Sequence, residues 1–178
     1  IGLGSLAGVE SITGGAFTNV TILGSGAANT LNFSAVTLTN IVSIDGGGGN
    51  DTITGTSLAD VLLGGGGADT INGGGGDDTI TGGAGNDNMN GGAGLATFWF
   101  SAGFGADRIT GFDANPAGGQ DKLNISMLGI TAATFAANVT ITSAGGGADT
   151  LITIGGATIR LVGVAPANVN INDFVLAP

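Results

Sequence analysis

Gly64-Gly65-Gly66-Gly67-Ala68-Asp69-Thr70-Ile71-Asn72 is followed directly by Gly73-Gly74-Gly75-Gly76-Asp77-Asp78-Thr79-Ile80-Thr81. The two stretches are one nine-residue unit written twice, and the same beat extends in both directions to give six units from Gly46 to Trp99. An aspartate recurs at the sixth position as Asp51, Asp60, Asp69, Asp78 and Asp87. A large apolar residue recurs at the eighth, as Ile53, Leu62, Ile71, Ile80, Met89 and Phe98, with Ile44 one unit earlier. Each unit therefore supplies one side chain to bury and one carboxylate at a fixed separation, which is the pattern of a solenoid built around metal ions.

The chemistry of a single unit says why. Glycines at positions one, two and four permit tight turns, and positive φ is expected at all three. The turn carbonyls are then free to point at a cation. The end of each unit, as in Asp69-Thr70-Ile71-Asn72, alternates like a short strand with Ile71 facing inward. With two units per coil, units two apart stack at roughly 4.8 Å. Asp51, Asp69 and Asp87 then form one column and Asp60 and Asp78 a second. Neighbouring carboxylates about 5 Å apart repel by roughly 3 kcal/mol at an effective dielectric of 20, so the stack resists closing without a cation.

The units follow G-G-x-G-x-D-x-U-x, with U large and apolar, and on that motif the chain resembles the RTX calcium-binding repeat proteins. Two units depart from it: the second keeps Gly55, Asp60 and Leu62 but has Leu58 at position four, and the sixth has Ala96 at position six. Calcium suits oxygen-rich turns because it accepts six to eight oxygen ligands, and the absence of His and Cys removes the ligands softer metals prefer. The expected ligands are the carboxylates of Asp51, Asp60, Asp69, Asp78 and Asp87, with backbone carbonyls of Gly46, Gly48, Gly64, Gly66, Gly73, Gly75, Gly82 and Ala84. The predicted fold is all-β: a parallel β-roll or β-helix with calcium in its turns, followed by an antiparallel β cap.

Thirteen acidic residues against three basic ones give a net charge of −10, which opposes binding to nucleic acid or an anionic membrane unless calcium bridges the two. Without cysteines, calcium takes over the stapling role of disulfides. No apolar run is long enough to span a membrane, and no signal peptide opens the sequence, so a carboxy-terminal fragment of a longer protein is expected. Residues 1–45 hold only Glu10 and Asp45 as acids and read as metal-poor solenoid coils. A shift of 32 residues lays Leu6, Val9, Ser11, Ile12, Gly14 and Gly15 on Leu38, Ile41, Ser43, Ile44, Gly46 and Gly47.

Residues 46–99 are the repeat block, and 100–178 read as a cap in which the nine-residue beat has stopped. Phe98 and Phe100 are expected in its core. Trp99, of opposite parity, either stacks on a sugar or is buried by the following loop. The stretch Gly105–Asp113 followed by Gln120–Ser126 also resembles the segment that follows the repeats in the RTX family. That resemblance makes Asp107 and Asp121 candidate calcium ligands, with ion pairs to Arg108 or Lys122 as the alternative. Residues 149–154 and 157–162, separated by Gly155-Gly156, read as a hairpin. The end, Ile171 to Pro178, resembles an RTX type I secretion signal and reads equally as a last strand.

No His, no nucleophilic Cys, no G-x-S-x-G elbow and no phosphate loop is present, so no catalysis is expected in these residues. The resemblance implies a secreted, extracellular or cell-surface calcium-binding protein of the S-layer or adhesin type. Its implied partners are the type I secretion machinery, copies of itself and cell-surface polysaccharide. The alternative is an export, folding and carbohydrate-binding module of a secreted RTX enzyme such as a protease, lipase or polysaccharide-modifying enzyme.

Overall fold

The computed structural model describes residues 11–17, 19–115 and 119–178. Two sheets face each other across a narrow apolar core. The first is wholly parallel and runs, from its lower edge upward, β2 (Val20–Leu23), β5 (Ile41–Gly48), β7 (Val61–Gly66), β9 (Thr79–Ala84), β11 (Thr97–Trp99), β13 (Lys122–Asn124) and β17 (Phe174–Val175). The second runs β3 (Thr30–Asn32), β6 (Thr52–Thr54), β8 (Thr70–Asn72), β10 (Asn88–Asn90), β12 (Ala106–Thr110) and β16 (Ala157–Val162), all parallel. It ends in antiparallel β15 (Asp149–Ile154) and β14 (Val139–Ala144). Short β1 (Ser11–Thr13) and β4 (Thr37–Thr39) pair separately, and α1 (Phe135–Asn138) is one turn long.

From β5 to β13 successive strands alternate between the two sheets, so the chain winds as a flattened coil. Within the repeats one coil takes 18 residues: Ile53 stands beside Ile71 and Ile71 beside Met89, while Leu62 stands beside Ile80 and Ile80 beside Phe98. The eighth-position residues therefore form two facing columns. One is Leu31, Ile53, Ile71, Met89, Ile109 and Leu161; the other is Ile22, Ile44, Leu62, Ile80, Phe98, Leu123 and Phe174. All are buried, most of them completely. Each such side chain contributes roughly 1.5–3 kcal/mol by leaving water, and these two columns make up most of the apolar interior of the repeats.

Two sequence features look different in the structure. The 32-residue similarity is not the coil repeat: Ile22 pairs with Ile44 and Leu31 with Ile53, 22 residues apart, and Ile12 lies beside Leu38 rather than under Ile44. Two members of that similarity, Leu6 and Val9, lie outside the described residues. The beat also does not stop at Trp99. Phe100 and Ser101 insert two residues, after which Ala102 to Thr110 form a seventh unit stacked on the fifth, with Gly103 and Gly105 at φ 85° and 89°. Further on, Gly119 (φ 92°) and Asp121 repeat the fourth and sixth positions of a unit ahead of β13, which pairs with β11.

The hairpin forms as predicted, turning at Gly155 (φ 61°), and its second strand β16 pairs with β12 and so closes the roll. Phe98 and Phe100 are buried, each against a further ring: Phe98 with Phe112 at 6.2 Å and Phe100 with Phe104 at 4.9 Å.

Candidate metal centre

The sixth-position carboxylates stack as the period requires, and the main chain locks them together. The N–H of Asp51 donates to Oδ1 of Asp69 (2.8 Å), that of Asp69 to Asp87 (2.9 Å) and that of Asp87 to Asp107 (2.9 Å). Asn29 extends this column downward by donating to Oδ1 of Asp51 (2.7 Å). On the opposite edge Asp60 donates to Asp78 (2.9 Å) and Ala96 to Asp121 (2.8 Å). One oxygen of each stacked carboxylate thus secures the coil before it.

The other oxygen is left over. Oδ2 of Asp51, Asp69, Asp78, Asp87 and Asp107 is buried and accepts no hydrogen bond; among the described residues these are the buried side-chain polar atoms without a partner. An unsatisfied buried acceptor costs about 1–3 kcal/mol, more when charged, so five in register point to a missing positive partner.

Backbone oxygen converges on the same places. A Cβ added to Gly64 would collide with Oδ2 of Asp69 and stand 2.5 Å from the carbonyl oxygen of Gly82. At Gly46 it would meet Oδ2 of Asp51 and the Gly64 carbonyl (2.7 Å), and at Gly73 it would collide with Oδ2 of Asp78 and the Gly91 carbonyl. First-position glycines are therefore required by close approach and not by positive φ, contrary to expectation; the left-handed backbone belongs to positions two and four, as at Gly65 (φ 106°) and Gly67 (φ 127°). Third-position Gly66 meets nothing within 4 Å, which is why Ala84 and Ala93 replace it two and three units on. No three acidic side chains cluster among the described residues, so a cation in these turns must complete its shell with carbonyls. Calcium tolerates such a mixed and irregular oxygen set.

Electrostatics agree. Burial, against the opposing effect of the backbone N–H bonds, raises the carboxyls of Asp51, Asp69, Asp87 and Asp121 above their ordinary range. It lifts Asp78 to about 6 and Asp107 to about 7, and the neighbouring aspartate in each column adds to the rise. Stacked carboxylates without a counter-charge hold protons more tightly than free ones.

The remaining predicted residues divide. Asp107 joins the long column with its Oδ2 free, whereas Asp121 has both oxygens occupied, by the N–H groups of Ala96 and Asp113 (3.0 Å). Neither forms the alternative ion pair. Arg108 donates to Asn88 (3.2 Å), Lys122 to the carbonyl of Asn172 (2.6 Å), and the ion pair among the described residues joins Arg160 to Asp149 (2.6 Å). Oδ2 of Asp60 is taken by Thr56. Trp99 lies half-buried on the outer face of its sheet, in register between Thr81 and Asn124. Sequence reasoning missed an outer ladder at position five, where Asn50, Asp77 and Asn86 accept the N–H groups of Ala68, Leu95 and Ala106 at 2.9–3.0 Å. Its signal was the Asn or Asp standing before the column aspartate in three units.

A family model described as the RTX calcium-binding nonapeptide repeat, in four copies, matches residues 42–62 and 63–95. Among solved structures, the chain is similar to the AlgE6R3 subunit of the Azotobacter vinelandii mannuronan C5-epimerase, with 30% identity and TM-score 0.57 over 72% of this chain and 78% of that one. The AlgE6R2 subunit of the same organism's mannuronan C5-epimerase aligns at 29% identity and TM-score 0.56, over 88% of this chain and 92% of that one. No relative is found among the curated proteins. No helix among the described residues is long and apolar enough to cross a membrane.

Proposed function

The chain belongs to the RTX calcium-binding nonapeptide repeat proteins, and on that premise we propose that it is a non-catalytic module that folds outside the cell as calcium fills its acidic turns, in the service of a secreted polysaccharide-modifying enzyme. The observation that carries the folding role is the set of five buried, partnerless Oδ2 atoms. The residues holding calcium are Asp51, Asp69, Asp78, Asp87 and Asp107, assisted by carbonyls of first- and third-position residues such as Gly64, Gly66, Gly82 and Ala84. Asp60 and Asp121, whose Oδ2 atoms already accept hydrogen bonds, drop out of the set.

When bound, calcium supplies the positive charge that the columns lack. Everything else follows from the chain. Without that charge, stacked carboxylates repel by roughly 3 kcal/mol per neighbouring pair, and a glycine-rich backbone loses more conformational entropy on ordering than most, so the repeats stay open. At a tenfold excess over the dissociation constant each site adds about 1.4 kcal/mol, and five such sites roughly 7 kcal/mol, comparable to the whole stability of a small domain. Scarce cytosolic calcium then keeps the chain export-competent. The end from Ile171 to Pro178 is read as the type I secretion signal, available to the export machinery before Phe174 and Val175 enter the sheet as β17.

The enzyme association rests on the likeness to the two epimerase subunits, which runs through most of the chain and well beyond the repeat block. In this reading catalysis belongs to another part of the protein, and Trp99 on the outer face offers a platform for sugar. A surface-layer or adhesin role is the second reading, supported by the coils between Val20 and Ile44, which stack without an acidic column. Circular dichroism with calcium and with chelator tests the folding role: a β spectrum that collapses on chelation is expected, and an unchanged one refutes it. Sedimentation across a calcium series separates the two readings, because a surface-layer protein self-associates where an enzyme module stays monomeric.

A further inference from the structure

The second unit differs from its neighbours in more than sequence. In the turns that begin at Gly46, Gly73 and Gly91, the N–H of the second residue is turned back onto the side chain two positions earlier: Gly47 donates to Asp45 (2.9 Å), Gly74 to Asn72 (3.2 Å) and Gly92 to Asn90 (2.9 Å). All three glycines have positive φ, 94°, 99° and 84°. In the second unit the corresponding residue is Thr56, whose φ is not positive, and its N–H points into the turn instead, onto Oδ2 of Asp60 at 2.6 Å. The Thr56 hydroxyl donates to the same oxygen at 2.9 Å. That oxygen is the counterpart of the one left bare in Asp51, Asp69, Asp78, Asp87 and Asp107.

The device occurs a second time, where no charge is at stake. Gly24 to Asn32 is a degenerate unit with Ser25 at position two and Asn29 at position six, in register beneath the unit that holds Asp51. There the Ser25 N–H donates to Oδ1 of Asn29 (2.6 Å), and the Ser25 hydroxyl contacts the same amide oxygen (3.2 Å). A hydroxyl residue at position two therefore accompanies a closed turn both with a carboxylate and with an amide that offers no negative charge.

Building on the calcium-binding reading above, we propose that Thr56 stands in for the metal in its turn: its N–H and hydroxyl occupy the Asp60 oxygen, so this unit folds as a metal-independent rung within a block whose other acidic turns need calcium. The hydroxyl and N–H supply the two donors that the carboxylate oxygen would otherwise seek from a cation, and two hydrogen bonds to one anionic oxygen are a strong, short-range substitute. The rung also lies where it is useful. It stacks directly against the turn of Asp78, to whose Oδ1 the Asp60 N–H donates (2.9 Å), and gives that calcium-dependent turn a preformed edge on which to stack.

The test counts calcium by equilibrium dialysis on the full chain. Restoring the glycine pattern with Thr56→Gly and Leu58→Gly together should raise the count by one per chain; Leu58 is 67% exposed, so its loss disturbs no core. Asp60→Asn in the otherwise unchanged chain should leave the count as it was, and the same change in the double-glycine variant should remove the gain. A count that falls by one in Asp60→Asn alone overturns the proposal, as does an unchanged count in a folded double-glycine variant. A wild-type chain that binds no calcium refutes the calcium reading itself, an outcome distinct from either of these.

Discussion

Asp69 and Asp87 are joined across one full coil: the main-chain N–H of Asp69 donates to Oδ1 of Asp87 at 2.9 Å, and Oδ2 of Asp87 is left buried with no donor. One carboxyl group therefore holds two jobs, a structural bond to the coil before it and an open valence toward a cation. The two can be separated by substitution.

Asp87→Asn preserves an oxygen for the Asp69 N–H but removes the charge. It should lower calcium affinity at its turn while leaving the calcium-loaded fold in place. Asp87→Ala removes both, leaving a buried N–H unsatisfied, and should cost a further 1–3 kcal/mol or so in urea unfolding at saturating calcium. Equal losses in the two variants would mean that the hydrogen bond contributes nothing.

Glycine positions should differ sharply in tolerance. Gly64→Ala drives a Cβ into Oδ2 of Asp69 and the Gly82 carbonyl, and should cut calcium-dependent stability severely. Gly66→Ala, two residues away, meets nothing and reproduces the side chain already present at Ala84; thermal midpoints in calcium should match wild type within a degree or two.

Acid should partly replace calcium. Burial raises the carboxyls of the columns in the folded chain, to about 6 for Asp78 and about 7 for Asp107, so without metal the folded state binds more protons than the unfolded state between the ordinary carboxylate range and neutrality. Stability of the metal-free chain must then fall as pH rises through that window. In chelator the β spectrum should be stronger at pH 5 than at pH 8, and the gap should close once calcium is added.

The hairpin that ends the second sheet has the opposite pH dependence. The N–H of Gly163 (2.9 Å) and the Arg160 guanidinium (2.6 and 2.8 Å) hold the Asp149 carboxyl below its ordinary range. The stability it contributes is present above the unfolded carboxylate pKa and lost as pH falls through the lowered one. Asp149→Asn should therefore reduce stability at pH 7 and have little effect at pH 2, read from unfolding in calcium-independent conditions such as high osmolyte.

Much of this was legible in the sequence because a strict nine-residue period leaves little freedom. The phasing of Asp69 against Ile71 sets which side faces core and which faces the turn, and doubling the period puts Asp51 over Asp69 over Asp87. What escaped is what depends on how a turn closes on itself and on the coil next to it. The need for glycine at Gly64 arises from an oxygen on Asp69 and a carbonyl on Gly82, and no local rule reports that approach. The seventh unit was hidden by the two residues Phe100 and Ser101, which shift the phase while leaving Gly103, Gly105, Asp107 and Ile109 in correct relative order. The capture of Asp60 by Thr56 was invisible because threonine at position two reads as a defect until its donors are located.

The most direct measurement is an anomalous-scattering map from crystals grown in saturating calcium. The account predicts a peak about 2.4 Å from Oδ2 of each of Asp51, Asp69, Asp78, Asp87 and Asp107, and none at Asp60. Turns without peaks, with those carboxylates rotated outward to water, would contradict it.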